Sequence, residues 1–220
     1  MAKLLVVGGN GFIGAEICKV ALGRGDEVVS VTRSGAPKED APWTEEVTWV
    51  AADVFAPGGW RAHLEGCDAV IHSLGIRKER PEQGVTFKRF NGDSAIIAAQ
   101  EAERASVGAF VFISAATTPP TFSPAYLEAK RRAERAILKR AGRTVILRPA
   151  LVYGAARPLT VLVGKALEVA QRSPGMPREN RPMSTHTLAR AAVQATGEAE
   201  GVLGVSAIES LSEELRTYAG

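Results

Sequence analysis

The chain of 220 residues is poor in several of the residues from which particular function classes are built. It has two cysteines, Cys18 and Cys67, far apart in sequence. Such a pair makes neither a disulfide framework nor a metal cluster, and it suits a reducing compartment. Its three histidines, His63, His72 and His186, stand apart from one another and from any acidic cluster, so each reads as a packed or surface residue and no metal site is expected. No apolar run is long enough to span a bilayer, and the first strand begins at Lys3, which leaves no room for a cleaved leader. Charge of one sign is also scarce: the net charge is +3 and no block of like charges forms a tail. That excess is too small to argue for nucleic acid, although it suits an anionic small molecule. These absences leave a cytoplasmic globular protein with a small-molecule substrate and an open oligomeric state.

What is present starts almost at the N-terminus. Leu4-Leu5-Val6-Val7 reads as a strand buried on both faces, and Ala15 to Leu22 as a helix. Between them lies Gly8-Gly9-Asn10-Gly11-Phe12-Ile13-Gly14, with glycines at the G-x-x-G-x-x-G spacing. Gly8 allows a tight turn out of the strand, Gly11 a close approach of backbone to a pyrophosphate, and Gly14 close helix–strand packing. The helix start adds free N–H groups and the positive end of its dipole. Gly8, Asn10, Gly11, Phe12, Ile13 and Gly14 are therefore candidate dinucleotide-binding residues, and the strand before and helix after give the motif its context.

The second strand, Glu27–Thr32, ends in Thr32-Arg33-Ser34 with no acidic residue. An acid there holds the ribose hydroxyls of NAD, whereas an arginine accommodates the 2′-phosphate of NADP. The reading therefore favours NADP(H), with NAD(H) as the alternative. A loop is expected from Ser34 to Glu46, a third strand over Val47–Ala52, and a short helix over Trp60–Leu64. A fourth strand covers Asp68–Ser73, and the charged stretch Ile76–Gly84 reads equally as a lid or a solvated loop. A long helix is expected from about Val85 to Arg104, a fifth strand over Ala109–Ser114, a helix over Ser123–Arg140 and a sixth strand over Val145–Pro149. Alternation of this kind predicts an α/β doubly wound parallel sheet. Residues 1–154 form its core, and residues 155–220 a small C-terminal substrate lobe with closing elements of the same compact domain.

Ser114, Tyr126 and Lys130 are the candidate catalytic residues. Tyr126 and Lys130 are four apart on a predicted helix and share one face. An ammonium beside a phenol lowers its pKa from about 10 and makes it a usable proton donor or acceptor. Ser114, at a strand end, is placed to hold a substrate oxygen. With three tyrosines in the chain, a Tyr-x-x-x-Lys match alone is weak. Its place after the fifth strand and behind a dinucleotide motif strengthens it.

Taken together, Gly8–Gly14, Asp53-Val54, Val70–Gly75, Asn91, Ser114, Tyr126-x-x-x-Lys130 and Arg148-Pro149-Ala150-Leu151-Val152-Tyr153-Gly154 resemble the short-chain dehydrogenase/reductase superfamily, in its extended and atypical branches. The resemblance extends to the epimerase/dehydratase group and to proteins related to the Rossmann subunit of respiratory complex I. It implies a Rossmann-type sheet, with Asp53 and Val54 by the adenine and Ser73, Leu74 and Gly75 along the ribose and pyrophosphate. It also implies that Asn91 supports the active site, that Lys130 binds the nicotinamide ribose, and that Pro149, Ala150 and Val152 lie along the nicotinamide half. One departure is the short stretch after Gly154, where extended members carry a larger substrate domain.

Within that stretch Leu159–Arg172 reads as a helix rich in apolar residues, flanked by Arg157, Lys165 and Arg172. It is read first as core packing, and alternatively as an apolar pocket or peripheral membrane contact for a quinone-like or isoprenoid substrate. A further helix is expected at Thr185–Thr196. The expected activity is NADP(H)-dependent oxidation or reduction of a carbonyl or hydroxyl, with epimerase- or dehydratase-like use of the hydride as a variant. The rival expectation is a cofactor-loaded structural, assembly or redox-sensing protein with little turnover, and fold alone does not decide between them.

Overall fold

In the computed structural model the described residues are 1–38, 41–117, 123–140, 142–154 and 178–215. Leu4, Leu5, Val6 and Val7 are all fully buried, as a central parallel strand between two helical layers requires. This strand, β1 (Lys3–Val7), pairs in parallel with β2 (Glu27–Thr32) on one side and with β4 (Ala69–His72) on the other. Beyond β2 lies β3 (Thr48–Ala51); beyond β4 lie β5 (Ala109–Ile113), β6 (Arg143–Leu147) and β9 (Gly201–Leu203). The sheet order is β3-β2-β1-β4-β5-β6-β9, and every pairing is parallel. A separate two-residue pair joins β7 (Val152–Tyr153) to β8 (Met183–Ser184).

Alternation along the strands divides the interior into two cores. Leu4 and Val6 pack with Ile17 of α1 (Gly14–Gly23), Leu188 of α5 (Thr185–Gln194) and Ile208 of α6 (Val205–Glu214). Leu5 and Val7 face the other way, toward Ala95 and Ala98 of α3 (Ser94–Arg104) and Ala133 and Ile137 of α4 (Pro124–Ile137). Burial of a large aliphatic side chain in either layer contributes about 1.5–3 kcal/mol. The doubly wound sheet is the architecture the alternation predicts.

Two local expectations are corrected. The loop between β2 and β3 contains a four-residue helix, α2 (Pro42–Glu45), started by its proline and fastened where Trp49 Nε1 donates to the Thr44 carbonyl at 2.8 Å. The long helix expected from Val85 is in two parts, a π-helical segment Lys88–Asp93 followed by α3. A π-turn is wider than an α-turn, but six residues are too few to display its different period, so the sequence does not announce it. Toward the C-terminus a short strand joins the main sheet: β9 lies along β6, and the Arg148 N–H donates to the Leu203 carbonyl at 2.9 Å. With three residues, β9 is too short for a periodicity signal. The expected helix Leu159–Arg172 lies outside the described residues. No helix among the described residues is long and apolar enough to cross a membrane.

Candidate functional site

The glycine loop lies at the C-terminal end of β1, the edge where ligands bind in open α/β sheets. Gly8 has φ +91, and a Cβ there would stand 3.0 Å from the backbone N and Cα of Leu74. A Cβ on Gly14 would lie 2.1 Å from the Gly8 carbonyl oxygen, so helix and loop approach as closely as a glycine permits. At Gly11 a Cβ would meet, among the described residues, only that same oxygen, at 3.1 Å, so these residues leave its outer side open. Gly9 supplies a packing reason that spacing did not reveal: its Cβ would fall 2.2 Å from Ser30 Oγ. Such a cradle, tight beneath and open above, fits a pyrophosphate at the start of α1.

Toward β2, Asn10 links the glycine loop to the next strand end. Its Nδ2 donates to Ser34 Oγ at 3.0 Å and to the Gly35 carbonyl at 3.2 Å, while Thr32 Oγ1 donates to the same carbonyl at 2.5 Å. The Arg33 side chain is exposed on this tied loop and makes no ion pair among the described residues. Asp53 is exposed and accepts the Phe55 N–H at 3.0 Å, and Val54 is buried behind it. Phe55 carries the Arg89 guanidinium over its ring at 4.5 Å, a stacking that the motif did not predict.

At the end of β4, Ser73 Oγ donates to the Val7 carbonyl at 3.0 Å and so binds this strand exit to β1. Gly75 is exposed, and the loop beyond it is held by Asn91, which is 1% exposed. Asn91 accepts the Ile76 N–H at 2.7 Å and donates to the Ile76 carbonyl at 3.1 Å. Its carboxamide is therefore a two-point clamp on the strand-4 loop. His72, fully buried, takes the Nε2–H tautomer: Ser94 Oγ donates to the Phe90 carbonyl at 2.6 Å and is left to accept from His72 at 3.1 Å. Burial, with the nearby Lys130 charge adding to it, pushes the His72 pKa down to about 3. His72 is thus a neutral packing residue, and His63 is exposed, as the two were read.

The three candidate catalytic residues lie around the exits of β5 and β6. Lys130 Nζ donates to the Ile113 carbonyl at 2.6 Å and sits 4.8 Å from the centre of the Phe112 ring. Burial pulls its pKa down to about 8, with Glu134 opposing the fall. Tyr126, one turn earlier on α4, is half-buried and packs edge-on against Phe87 at 5.5 Å. Burial raises its phenol above the ordinary value, the reverse of the lowering expected from Lys130, so it carries its proton at neutral pH. Ser114 is 3% exposed and turns inward: its Oγ donates to the Glu134 carboxylate. The hydroxyl proton is thus engaged within the protein, while its oxygen keeps the capacity to accept a hydrogen bond.

Glu134 is the residue that motif reading missed. It follows Lys130 by one helical turn, and that spacing is the one signal in the sequence that could have placed it on the same face. Its carboxylate also accepts from Arg131 and, through two nitrogens, from Arg148 at 3.1 and 2.5 Å. Burial works against ionisation, but the Arg148 and Ser114 hydrogen bonds and the Arg131 charge hold its carboxyl below the ordinary value. After Arg148, Pro149 is buried, while Ala150 and Val152 are partly exposed. Gly154 faces the glycine loop: a Cβ there would stand 3.3 Å from Phe12 Cε2 and 2.5 Å from Thr185 Oγ1. His186, the third histidine, holds Glu16 of α1 through Nδ1 at 2.8 Å.

A family profile described as NAD(P)H-binding matches residues 8–199. The chain is 38% identical over 156 residues to an uncharacterized chloroplastic protein of Arabidopsis thaliana, a match that takes in 69% of this chain and 51% of that protein. It is 32% identical over 201 residues to MIOREX complex component 2 of Saccharomyces cerevisiae, covering 69% of this chain and 73% of the yeast protein. Against the ceramide reductase of Caulobacter vibrioides it is 33% identical over 133 residues, 60% of this chain and 40% of that enzyme. The chain thus spans about half the length of the Arabidopsis relative and less of the ceramide reductase. Among solved structures, Bordetella bronchiseptica WbmH in complex with NAD+ superposes with a TM-score of 0.66 at 22% identity, over 99% of this chain and 81% of that one. At that identity the likeness is one of fold.

Proposed function

The chain belongs to the NAD(P)H-binding family, and from that premise we propose that it is an NADP(H)-dependent oxidoreductase acting on a carbonyl or hydroxyl substrate. The observation that carries the reading is Lys130, buried one helical turn from Tyr126 and anchored on the exit of β5, at the sheet edge that the glycine loop shares. A bound dinucleotide supplies or accepts the hydride. Gly8, Asn10, Gly11, Phe12, Ile13 and Gly14 hold its pyrophosphate, while Asp53 and Val54 lie by its adenine and Ser73, Leu74 and Gly75 along the ribose and pyrophosphate. Thr32, Arg33 and Ser34 receive the 2′-phosphate, and Pro149, Ala150 and Val152 border the other half.

Tyr126 is a phenol in the free protein and can give its proton to a substrate oxygen as that oxygen gains negative charge. The Lys130 ammonium stabilises the phenolate left behind, which regains a proton from solvent. The protonated phenol is the form that carbonyl reduction uses, and the reverse oxidation needs the phenolate. Ceramide reductase, by its name, reduces a lipid, which supports an apolar carbonyl substrate for this chain as well. A cytoplasmic location belongs to the same proposal, although the Arabidopsis relative is chloroplastic.

A second reading, a nucleotide-loaded assembly or sensing protein with little turnover, is favoured by the inward turn of Ser114 and by the yeast relative, which is named as a complex component. Single-turnover oxidation of bound NADPH separates the two. Wild-type protein that oxidises NADPH with a quinone or long-chain ketone, and loses this in Tyr126→Phe, is an enzyme. Tight NADPH binding with no oxidation across such substrates leaves the assembly reading.

A further inference from the structure

Glu134 accepts hydrogen bonds from three elements at once. Ser114 closes β5, Arg148 closes β6, and Arg131 lies on α4 with Glu134 itself. The Glu134 side chain is 3% exposed, and Arg148 meets it with both Nε and Nη2, the fork geometry that fixes orientation as well as distance. Arg131 then reaches on to the Ala116 carbonyl at 3.0 Å, and the Ala116 N–H donates to the Pro149 carbonyl at 2.8 Å. The backbones just past β5 and β6 are thereby fixed to one another and to the helix that carries Tyr126 and Lys130.

The place of this carboxylate across the sheet gives it a partner on the ligand. Arg33 and Asp53 lie at the ends of β2 and β3, on one side of the glycine loop; β4, β5 and β6 lie on the other. A dinucleotide whose pyrophosphate sits on that loop spreads to both sides of β1. Its adenosine lies toward β2 and β3, so its nicotinamide half must run toward the exits of β5 and β6. Phe12 of the loop packing against Gly154 joins the two regions.

We propose that Glu134 is a positioning residue for the nicotinamide half of the cofactor: by holding Ser114, Arg148 and α4 in register, it sets the wall on which that half rests. This rests on the dinucleotide-binding reading. The Ser114 hydroxyl then serves the wall, as a donor to Glu134, rather than the substrate.

The test compares NADPH with 2′,5′-ADP, a fragment that keeps the adenosine end and lacks the nicotinamide. Wild type, Glu134→Gln and the milder Ser114→Ala are titrated with each, and dihydronicotinamide fluorescence is read at saturation. Glu134→Gln is expected to weaken NADPH by about ten-fold, with 2′,5′-ADP within about two-fold of wild type. Ser114→Ala moves in the same direction by a smaller factor and covers the case in which Glu134→Gln does not fold. A changed NADPH-to-fragment ratio, or a changed fluorescence of bound NADPH, supports the proposal. An unchanged ratio with unchanged fluorescence overturns it and makes Glu134 a packing residue. Wild type that binds neither ligand brings down the dinucleotide reading, and this proposal with it.

Discussion

Lys130 and Glu134, one turn apart on α4, grip successive residues of the same strand exit. Lys130 donates to the carbonyl of Ile113, and Glu134 accepts the hydroxyl of Ser114. Opposite charges thus face one sheet edge side by side, and each is held there by a group of the other element. The helix that carries Tyr126 is registered against the sheet by polar contacts as well as by Ala133 and Ile137 below them.

The buried ammonium makes stability depend on pH. Lys130 falls from 10.5 to about 8 on folding, so between these values the unfolded chain binds the more protons. Stability contributed by this group therefore rises with pH across that window, and below about 8 the full cost of burying the charge is present. The melting temperature of wild type relative to Lys130→Met is expected to climb from pH 7.5 to pH 10. A flat difference would show that the amine titrates at its ordinary value.

Tyr126 and Ser114 are expected to fail differently. Tyr126→Phe removes the proposed proton donor and should lower turnover by about 10²–10⁴-fold with NADPH affinity unchanged. Ser114→Ala removes one donor from a buried carboxylate that keeps both arginines, and it should cost about 1 kcal/mol of stability. Its turnover should stay far above that of Tyr126→Phe. Equal losses of turnover in the two variants would return Ser114 to direct contact with substrate.

How much of this was legible in sequence differs from element to element. β1 and its glycines were, because four successive apolar residues and a residue held at positive φ leave few other structures open. The Ser114–Glu134 contact was not: the partners are 20 residues apart, and only the rotation of α4 against the sheet brings them together. β9 was missed because three residues carry no period, and the π-segment at Asn91 because six residues are too few to reveal a wider turn. The places where reading by motif went astray are thus places where a side chain's direction, not its position in the chain, decides its role.

Arg33 tests the cofactor preference. It is exposed, just past β2 in the acid-free run Thr32-Arg33-Ser34, on a loop that Asn10 ties to the glycine cradle. A charge-assisted hydrogen bond to a phosphate contributes about 1.5–3 kcal/mol, so Arg33→Ala should lower the NADPH-to-NADH affinity ratio by about ten-fold or more. NADH affinity itself should hardly move. Parallel titrations with the two nucleotides measure this, and an unchanged ratio would remove Arg33 from the 2′-phosphate site.

Two glycines of α1 should respond in opposite directions to the same substitution. A Cβ on Gly14 would be driven to 2.1 Å from a backbone oxygen, and neither the loop nor the helix start can yield without moving the cradle. Gly14→Ala is therefore expected to destabilise the fold and to weaken nucleotide binding together. Gly23, at the far end of the helix, has nothing among the described residues within 4 Å of its added Cβ. Gly23→Ala should raise stability by up to about 1 kcal/mol, because alanine has less chain entropy to lose and the greater helix propensity. Thermal melts with and without NADPH read both effects: the ligand-induced rise in melting temperature should vanish in Gly14→Ala and persist in Gly23→Ala. A Gly14→Ala protein that kept the full NADPH-induced rise would mean that the start of α1 is not where the pyrophosphate lies.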